Sequence, residues 1–318
     1  MRARRILRGI GIGLAVIVAV PAIYFMVLVV TTPNVDHLRS EAPTQTSFMR
    51  LRGGDSARVE WVDLDGISPY LACAVVKAED GGFFRHAGFE WGPLRKAFWA
   101  YVSGRSRGGG STITQQLAKN LYLTPDRSMH RKLREALITR RLERSLDKLR
   151  ILEIYLNVVE WGDGVWGAKQ AARFYFGRPP TELSVFEAVV LASLLPAPRV
   201  SLDGRNRRRA LYAQRRVLRQ LRSSRVIDED QYSEAVMRVD LLAKSLARGR
   251  TLRDAIADAS TEPIAAPDPV AQVVSQIEPA QALANECGFA RELAQRARDQ
   301  AAGARHANHA VASTRSPP

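Results

Sequence analysis

The hydrophobic pattern begins with an uncharged apolar run and continues into a longer region of amphipathic segments. Gly9 to Val30 carry no charge and are almost wholly apolar, about the 20 residues that an α-helix needs to cross a bilayer. Arginines precede the run at positions 2, 4, 5 and 8, and no cation follows until His37. The positive-inside rule therefore predicts a cytoplasmic N-terminus over residues 1–8, a transmembrane anchor over 9–30 and the rest of the chain outside.

A cleaved signal peptide is the alternative interpretation of this run. The run is long for a signal peptide, and no clean Ala-x-Ala site follows Val30. We therefore expect a retained anchor.

The positions after the anchor predict a stalk, a helical domain and a tail. Residues 31–66 are polar with scattered Pro and Gly, which favours a stalk with a short strand around Arg58 to Val62. Residues 67–245 predict a mainly α domain. Its helices are predicted at 69–79, 111–123, 128–146, 148–157, 168–175, 184–195 and 206–224, with a short one after Asp228. Ser128 and Asp228 are predicted N-caps, and Ser184 with Glu187 fits a capping box. Residues 246–318 are rich in Ala, Arg and Pro and predict a disordered or loosely helical tail.

The segment from Trp91 to Ser103 combines aromatic side chains with nearby cations. A surface helix docked on the core would show this pattern, and so would a segment that dips into the outer leaflet of a membrane. The sequence leaves both interpretations open. A basic, glycine-rich loop follows at Gly104 to Gly110.

The net charge of the chain limits the classes of molecule that we expect it to bind. The chain has 47 Lys and Arg against 32 Asp and Glu, a formal net charge of +15. Such a balance favours an anionic partner: nucleic acid, an acidic membrane surface or a phosphate-bearing substrate. Aromatic residues make up only 7% of the chain, which disfavours nucleic acid, as does the predicted location outside the cytoplasm.

The two cysteines, Cys73 and Cys287, lie far apart and show no metal-ligand spacing, which argues against zinc. Cys73 lies in an apolar run and is predicted to be a small core residue. We expect no disulfide between them, because the sequences around the two cysteines do not resemble those of a disulfide-stabilised domain.

Glu79 is the candidate acid or base. It ends a predicted buried helix and precedes Asp80, and a carboxylate against apolar groups beside a second carboxylate tends to have a raised pKa. A raised pKa suits proton transfer near neutral pH. A solvated helix end is the alternative interpretation, and His86 is equally consistent with a structural histidine.

The segment around Ser111 is a candidate for binding phosphate and sugar. Gly109-Gly110-Ser111-Thr112 leads into a predicted helix capped by Ser111, and glycines before a helix N-terminus let backbone N–H groups approach an anion. The P-loop ending is absent. Amides and a cation follow within about a turn, at Gln115, Gln116, Lys119 and Asn120. A polar helix face is the alternative.

A third candidate group lies on one predicted helix. Arg131 and Glu135 are four residues apart and share a face with Lys132 nearby, which is the spacing of an ordinary helical ion pair. The functional interpretation is that the cations bind a pyrophosphate while Glu135 supplies a second carboxylate.

Four motifs in this order resemble the peptidoglycan glycosyltransferase family, the transglycosylase domain of bifunctional penicillin-binding proteins, and most closely its monofunctional biosynthetic form. The family pattern E-D-x-x-F-x-x-H-x-G matches Glu79, Asp80, Phe83, His86 and Gly88. The pattern G-G-S-T-I-T-Q-Q-x-x-K-N matches Gly109 to Asn120. The patterns R-K-x-x-E and K-x-x-I-L-E-x-Y-L-N match Arg131, Lys132, Glu135, Lys148 and Ile151 to Asn157. The resemblance covers roughly residues 67–198, and the length after Asn157 predicts no transpeptidase domain.

The resemblance implies a lysozyme-like fold with a membrane-facing jaw that includes Trp91 to Ser103. It implies polymerisation of lipid II into β-1,4 glycan strands with inversion and release of undecaprenyl pyrophosphate. Glu79 would be the base that takes the proton of the acceptor 4-hydroxyl, and Glu135 would act on the donor side. The implied substrate-binding residues are Asp80, Phe83, His86, Gly110, Ser111, Thr112, Gln115, Gln116, Lys119, Asn120, Arg127, Arg131 and Lys132.

The implied partners are lipid II, the growing glycan chain and membrane lipids, with penicillin-binding and cell-division proteins as further candidates and no nucleic acid. No organic cofactor is expected; a Mg²⁺ or Mn²⁺ ion at the pyrophosphate is a candidate. The predicted location is the inner membrane with the domain on the periplasmic side. The alternative functions are a lysozyme-like hydrolase or lytic transglycosylase that cuts glycan strands, and a non-enzymatic scaffold of cell-wall synthesis.

Overall fold

The computed structural model of the chain describes residues 2–54, 56–90, 92, 110–126, 128–199, 204–261 and 287. Within these residues the fold is mainly helical, as predicted. The helices are α1 (Arg2–Val30), α2 (Ser47–Gly53), α3 (Pro69–Glu79), α4 (Ile113–Tyr122), α5 (Met129–Ser145), α6 (Lys148–Val158), α7 (Gly167–Phe176), α8 (Val185–Leu194), α9 (Gly204–Ser223), α10 (Glu229–Ala247) and α11 (Leu252–Thr261). An antiparallel pair of short strands, β1 (Glu160–Gly162) and β2 (Val165–Trp166), lies between α6 and α7.

The helix α8 forms the centre of the core, because all of its residues are buried. Its sequence predicts this position: the apolar residues continue without a polar face, and Ser184 and Glu187 form the predicted capping box. The helices α3, α9 and α10 pack against α8. The helices α4, α5 and α6 pack against one another and carry most of the predicted site residues.

Most of the apolar side chains of α1 that the structure describes are exposed, with Leu28 as a buried exception. Ile17 and Val30 are each 71% exposed. At the C-terminal end of α1, the backbone carbonyls of Val29, Thr31 and Thr32 accept hydrogen bonds from arginines 134 and 141 of α5. None of the helices formed by the described residues combines the length and apolar character that a membrane span requires.

The predicted stalk over residues 31–66 is instead packed against the domain. Val35, Leu38 and Met49 are fully buried, and α2 packs on α4. The predicted strand around Arg58 to Val62 does not form, since this stretch has irregular backbone. The prediction was wrong because polar composition reports surface exposure, whereas a few spaced apolar side chains are enough to dock such a segment.

The helices continue past the predicted start of the tail at residue 246. The helix α11 buries Ala255, Ile256 and Ala259 and packs on α10 and α7. The remaining tail from residue 262, apart from Cys287, lies outside the described residues. The apolar positions of α11 are small, which is why its composition resembled that of a disordered tail.

Cys73 and Cys287 form a disulfide with their Cα atoms 5.8 Å apart. The expectation that they would not pair was wrong, while the prediction of Cys73 as a core residue is confirmed, since it is fully buried. Sequence spacing could not reveal this pairing, because the two residues are 214 positions apart and meet only through the tertiary fold.

Candidate active site

Glu79 lies at the C-terminal end of α3, where a short chain of hydrogen bonds holds its side chain. The amide Nε2 of Gln116, on α4, donates to Glu79 Oε2 at 2.6 Å. The Gln116 carbonyl oxygen in turn accepts from the hydroxyl of Tyr155, on α6, at 3.0 Å. Tyr155 is fully buried, so its hydroxyl is fixed by the core. Three helices thus set the orientation of one carboxylate.

The surroundings of Glu79 raise the pKa of its carboxyl group above the usual value. Burial at the helix end is the main cause, and the charge of Asp80 adds to it. The Gln116 hydrogen bond and the charges of Arg216 and Lys119 lower the pKa and partly offset that effect. A carboxylate with a raised pKa can accept a proton more readily, which is the property predicted for a general base.

Asp80 and His86, the next motif residues, join separate segments of the fold. Asp80 Oδ1 lies 2.9 Å from His86 Nε2, and Asp80 Oδ2 accepts the backbone N–H of Ile113 at 3.0 Å. His86 Nδ1 accepts the N–H of Gly88 at 3.1 Å. Gly88 has φ of +86°, and a Cβ atom there would lie 2.7 Å from Thr139 of α5. The first motif therefore connects the end of α3 with the start of α4 and the middle of α5.

The start of α4 is built by a capping box. Thr112, rather than the predicted Ser111, is the N-cap: its hydroxyl accepts the N–H of Gln115, and the Gln115 side chain accepts the N–H of Thr112. The Thr112 hydroxyl also donates to the carbonyl of Gly88 at 2.7 Å. Ser111 and Gly110 remain exposed. Thr112 and Gln115 thus hold the start of the helix, while Ser111 is exposed to solvent.

The third motif places two cations on one buried carboxylate. Glu135 is 3% exposed, and its Oε2 lies 2.6 Å from Arg131 Nη1, while its Oε1 contacts Lys132 Nζ. Arg131 Nε is buried and has no hydrogen-bond partner within the described protein. The group therefore keeps positive charge beyond what Glu135 neutralises, together with an unused N–H donor.

Lys119 connects the two groups. Burial lowers the pKa of its ammonium group, and the charges of Arg131, Arg52 and Lys132 lower it further, while Glu135 raises it. The same lysine lowers the pKa of Glu79. Lys119 is therefore coupled electrostatically both to Glu79 and to the cations of α5.

The fourth motif is mainly structural. Asn157 is fully buried, and its side chain pairs with both the N–H and the carbonyl of Val62, at 2.9 and 2.8 Å. Lys148 Nζ bonds to Glu143 Oε1 at 2.7 Å and lies 4.4 Å from the centre of the Phe83 ring. Phe83, predicted to bind substrate, is fully buried in the core. Tyr155 is the residue of this motif that reaches the site, through Gln116.

A second group of cations around a buried carboxylate lies nearby and was missed by the motif analysis. Glu160 of β1 is 4% exposed and contacts Arg52 of α2 and Arg199, the latter at 2.7 Å. The Arg52 guanidinium also lies 4.8 Å from the centre of the Phe48 ring. Residue 52 belongs to the stretch predicted as a stalk, so no sequence signal marked it.

One group of acidic and histidine side chains is close enough to share an ion. Ligand atoms of Asp80, His86 and Glu90 lie within 4.8 Å of one another. Both oxygens of Asp80 are already engaged by His86 and Ile113, which accounts for the group as a hydrogen-bond network.

Asn120 is buried on α4. Arg127 and, apart from residue 92, the segment Trp91 to Ser103 lie outside the described residues.

The fold and site together define a mainly helical enzyme in which a partly buried carboxylate is coupled to a cluster of cations. The family model described as Transglycosylase matches residues 45–222, more than half of the chain. The chain therefore belongs to the transglycosylase family, and the family and the enzyme class predicted from the four motifs are confirmed. The match begins within the predicted stalk, in agreement with the packing of α2 on the domain.

Several relatives share the same printed name. The chain is 50% identical over 170 residues to a biosynthetic peptidoglycan transglycosylase of Azoarcus sp. (strain BH72), covering 51% of this chain and 74% of the relative. It is 45% identical over 202 residues to one of Aromatoleum aromaticum, covering 61% and 86%. It is 42% identical over 221 residues to one of Thiobacillus denitrificans, covering 68% and 94%.

Proposed function

We propose that the protein is a peptidoglycan glycosyltransferase that polymerises lipid II into glycan strands during cell-wall synthesis. The observation that carries the proposal is the pairing of a single base, Glu79, with a cluster of cations that begins at Lys119. An enzyme that only cuts glycan strands needs the carboxylate but has no pyrophosphate to bind. The names of the relatives agree with synthesis rather than cleavage.

Glu79 acts as the general base on the acceptor sugar. Its carboxylate takes the proton of the acceptor 4-hydroxyl while that oxygen attacks the anomeric carbon of the donor chain. The new C–O bond forms on the face opposite the breaking bond to the pyrophosphate, so the configuration inverts. Gln116 holds the carboxylate for this step, since its amide donates to one oxygen and leaves the other free of that contact.

The departing pyrophosphate is stabilised by fixed positive charge. Lys119, Arg131 and Lys132 supply that charge, and their positions are set before the reaction by helices α4 and α5. Glu135 orients the two cations of α5 through its ion pairs. The Nε–H of Arg131 has no hydrogen-bond partner among the described residues, so it can donate a hydrogen bond to a phosphate oxygen. The exposed Ser111 and Gly110 line the same cleft, with Asn120 and Arg127 as further candidates.

A divalent ion on the pyrophosphate, Mg²⁺ or Mn²⁺, remains part of the proposal. It would add positive charge to the phosphate oxygens, and Glu135 is the described carboxylate on that side of the site. Both oxygens of Glu135 are held by cations, so most ligands of the ion would come from the pyrophosphate itself. Chelation with EDTA, followed by addition of each ion, measures this dependence.

The proposed location is the inner membrane, with the catalytic domain on the periplasmic side. The proposal of a single-pass anchor over residues 9–30 rests on the sequence, since the described part of α1 does not by itself have the length and apolar character of a span. The support is the uncharged run from Gly9 to Val30, its exposed apolar side chains and the arginines that precede it. The segment Trp91 to Ser103 is proposed to contact the outer leaflet as a jaw. Penicillin-binding and cell-division proteins are proposed partners, because strand synthesis has to be followed by cross-linking.

The deciding experiment is incubation of the detergent-solubilised full-length protein with labelled lipid II. We expect long glycan strands and release of undecaprenyl pyrophosphate. A parallel incubation with preformed strands tests the alternative: shortening of these strands without use of lipid II would overturn the proposal in favour of a lytic enzyme.

A further inference from the structure

The end of α3 is contacted by a helix that none of the four motifs reaches. The helix α9 packs along α3, and the Arg216 guanidinium donates from Nη2 to the backbone carbonyl of Ala78 at 3.0 Å. Lys77 Nζ, one residue earlier on α3, donates to Ser224 Oγ just beyond α9 at 2.7 Å. The two residues that precede Glu79 are therefore both fastened to the α9 region.

The position of this contact matters because helix ends carry charge. The last carbonyls of an α-helix lack intrahelical partners and form the negative end of the helix dipole. A carboxylate at that end is disfavoured as an ion, and Glu79 is the last residue of α3. An arginine at the same end satisfies a carbonyl and supplies the opposite charge.

The charge of Arg216 also reaches Glu79 itself. After burial, which raises the pKa of Glu79, the causes that lower it are the Gln116 hydrogen bond, then Arg216, then Lys119. Arg216 thus acts on Glu79 through two independent features, a hydrogen bond to the neighbouring backbone and a charge.

We propose that Arg216 is a positioning residue for catalysis: it fixes the last turn of α3 and keeps the Glu79 carboxylate ionised for proton abstraction. This inference rests on the proposed role of Glu79 as the base. It assigns a catalytic purpose to α9, whose arginine-rich sequence otherwise indicates only a solvated helix face.

Several other groups face Glu79 and set the background for this effect. Asp80 follows it on the chain, Gln116 and Lys119 reach it from α4, and Tyr155 lies behind Gln116 on α6. Lys119 is also coupled to Glu135 and the cations of α5, so its removal would disturb the donor side as well. Arg216 lies on α9 rather than on α4, so its substitution tests the effect on Glu79 more selectively.

The test is the pH profile of kcat for lipid II polymerisation by the full-length protein in detergent. Arg216→Gln is expected to move the acid limb to higher pH, with roughly tenfold lower activity on the acid side and recovery towards the wild-type rate above the limb. Arg216→Lys keeps the charge and is expected to keep the limb in place. Arg219→Gln is the matched control, because Arg219 is an exposed residue of the same helix.

Two results would overturn the inference. One is an acid limb of Arg216→Gln that coincides with that of the wild type. The other is an equal loss of activity at every pH with a lower unfolding temperature, which would show a purely structural contact. Glu79→Gln in the same assay separates the two proposals: an active Glu79→Gln enzyme removes the base assignment, whereas an inactive one with an unshifted Arg216→Gln limb removes only the role of Arg216.

Discussion

The acceptor side and the donor side of the proposed cleft use burial in opposite ways. At Glu79, burial raises the pKa of a single carboxyl group, and a few partners restrain that shift. At Lys119, burial and neighbouring cations lower the pKa of an ammonium group, and Glu135 restrains it. In both places the charged form is made less stable than in water. The acceptor side thereby gains a stronger base, and the donor side gains positive charge that an arriving pyrophosphate would stabilise.

The acceptor side and the donor side also differ in the groups that orient their charged side chains. Glu79 is oriented by the neutral groups of Gln116 and Tyr155. The cations are oriented by a buried carboxylate, Glu135, that offsets part of their charge. A base needs precise direction for proton transfer, whereas phosphate binding depends mainly on the sum of nearby charge.

The largest expected effect is at Glu79. Glu79→Gln keeps the shape of the side chain but removes the proton acceptor, so we expect polymerisation to fall about 10³-fold or more. The thermal unfolding temperature should stay near that of the wild type. Measurement of initial rates with labelled lipid II checks this, and a fully active variant would contradict the assignment.

The next effect concerns the donor side. Lys119→Met removes one partly buried charge with little change in volume. We expect roughly a 10²-fold loss of kcat, because one preorganised donor for the departing phosphate is missing. Arg219→Met removes an exposed charge from α9 and serves as the control. Equal rates for the two variants would show that Lys119 does not act on the pyrophosphate.

The two pKa shifts predict a pH profile with two limbs. Glu79 works ionised and its pKa is raised, so activity should fall as the pH drops through a value above the ordinary glutamate pKa of 4.5. Lys119 works protonated and its pKa is lowered, so activity should fall as the pH rises through a value below the ordinary lysine pKa of 10.5. Lys119→Arg should move the alkaline limb to higher pH and leave the acid limb in place; movement of both limbs would show that the two sides are not separable.

The smallest expected effect is at Tyr155. Tyr155→Phe leaves the Gln116 carbonyl without its donor, which costs about 1 kcal/mol and lets the amide that holds Glu79 turn. We expect roughly a fivefold lower kcat with an unchanged KM. Tyr175→Phe, which removes a hydroxyl bonded to the Trp161 carbonyl away from Glu79, is the comparison, and the two variants should differ in rate rather than in stability.

Much of the helical frame could be predicted from the sequence because its signals are local. Ser128, Ser184 and Asp228 cap the helices that follow them, as their spacing indicated. The boundaries of α4, α5 and α6 lie within a few residues of the predicted ones. The errors occurred where local composition is a weak guide: the segment 31–66, the helix α11 and the disulfide of Cys73.

Part of the site was predictable for a different reason. The motifs name the residues that carry charge, and the ion pairs of Arg131 and Lys132 with Glu135 follow from helical spacing. Sequence spacing could not tell which motif residues form hydrogen bonds within the protein rather than contacts with the substrate. Asp80 and Thr112 turned out to be engaged with the protein itself, because Ile113 and Gly88 bind them from distant positions in the sequence. Gln115 is engaged locally, as part of the capping box of α4.

The order of residues along the chain was therefore enough to predict a mainly helical transglycosylase, and to propose Glu79 ahead of a group of cations that would bind phosphate. Periodicity, capping and motif order are properties of neighbouring residues, and they survive without a fold. The partners of Glu79 are not neighbours in the sequence: Gln116, Tyr155 and Arg216 come from three different helices. Only packing brings them to one carboxylate, and it is their contacts and charges, added to burial, that determine how strong a base that carboxylate is.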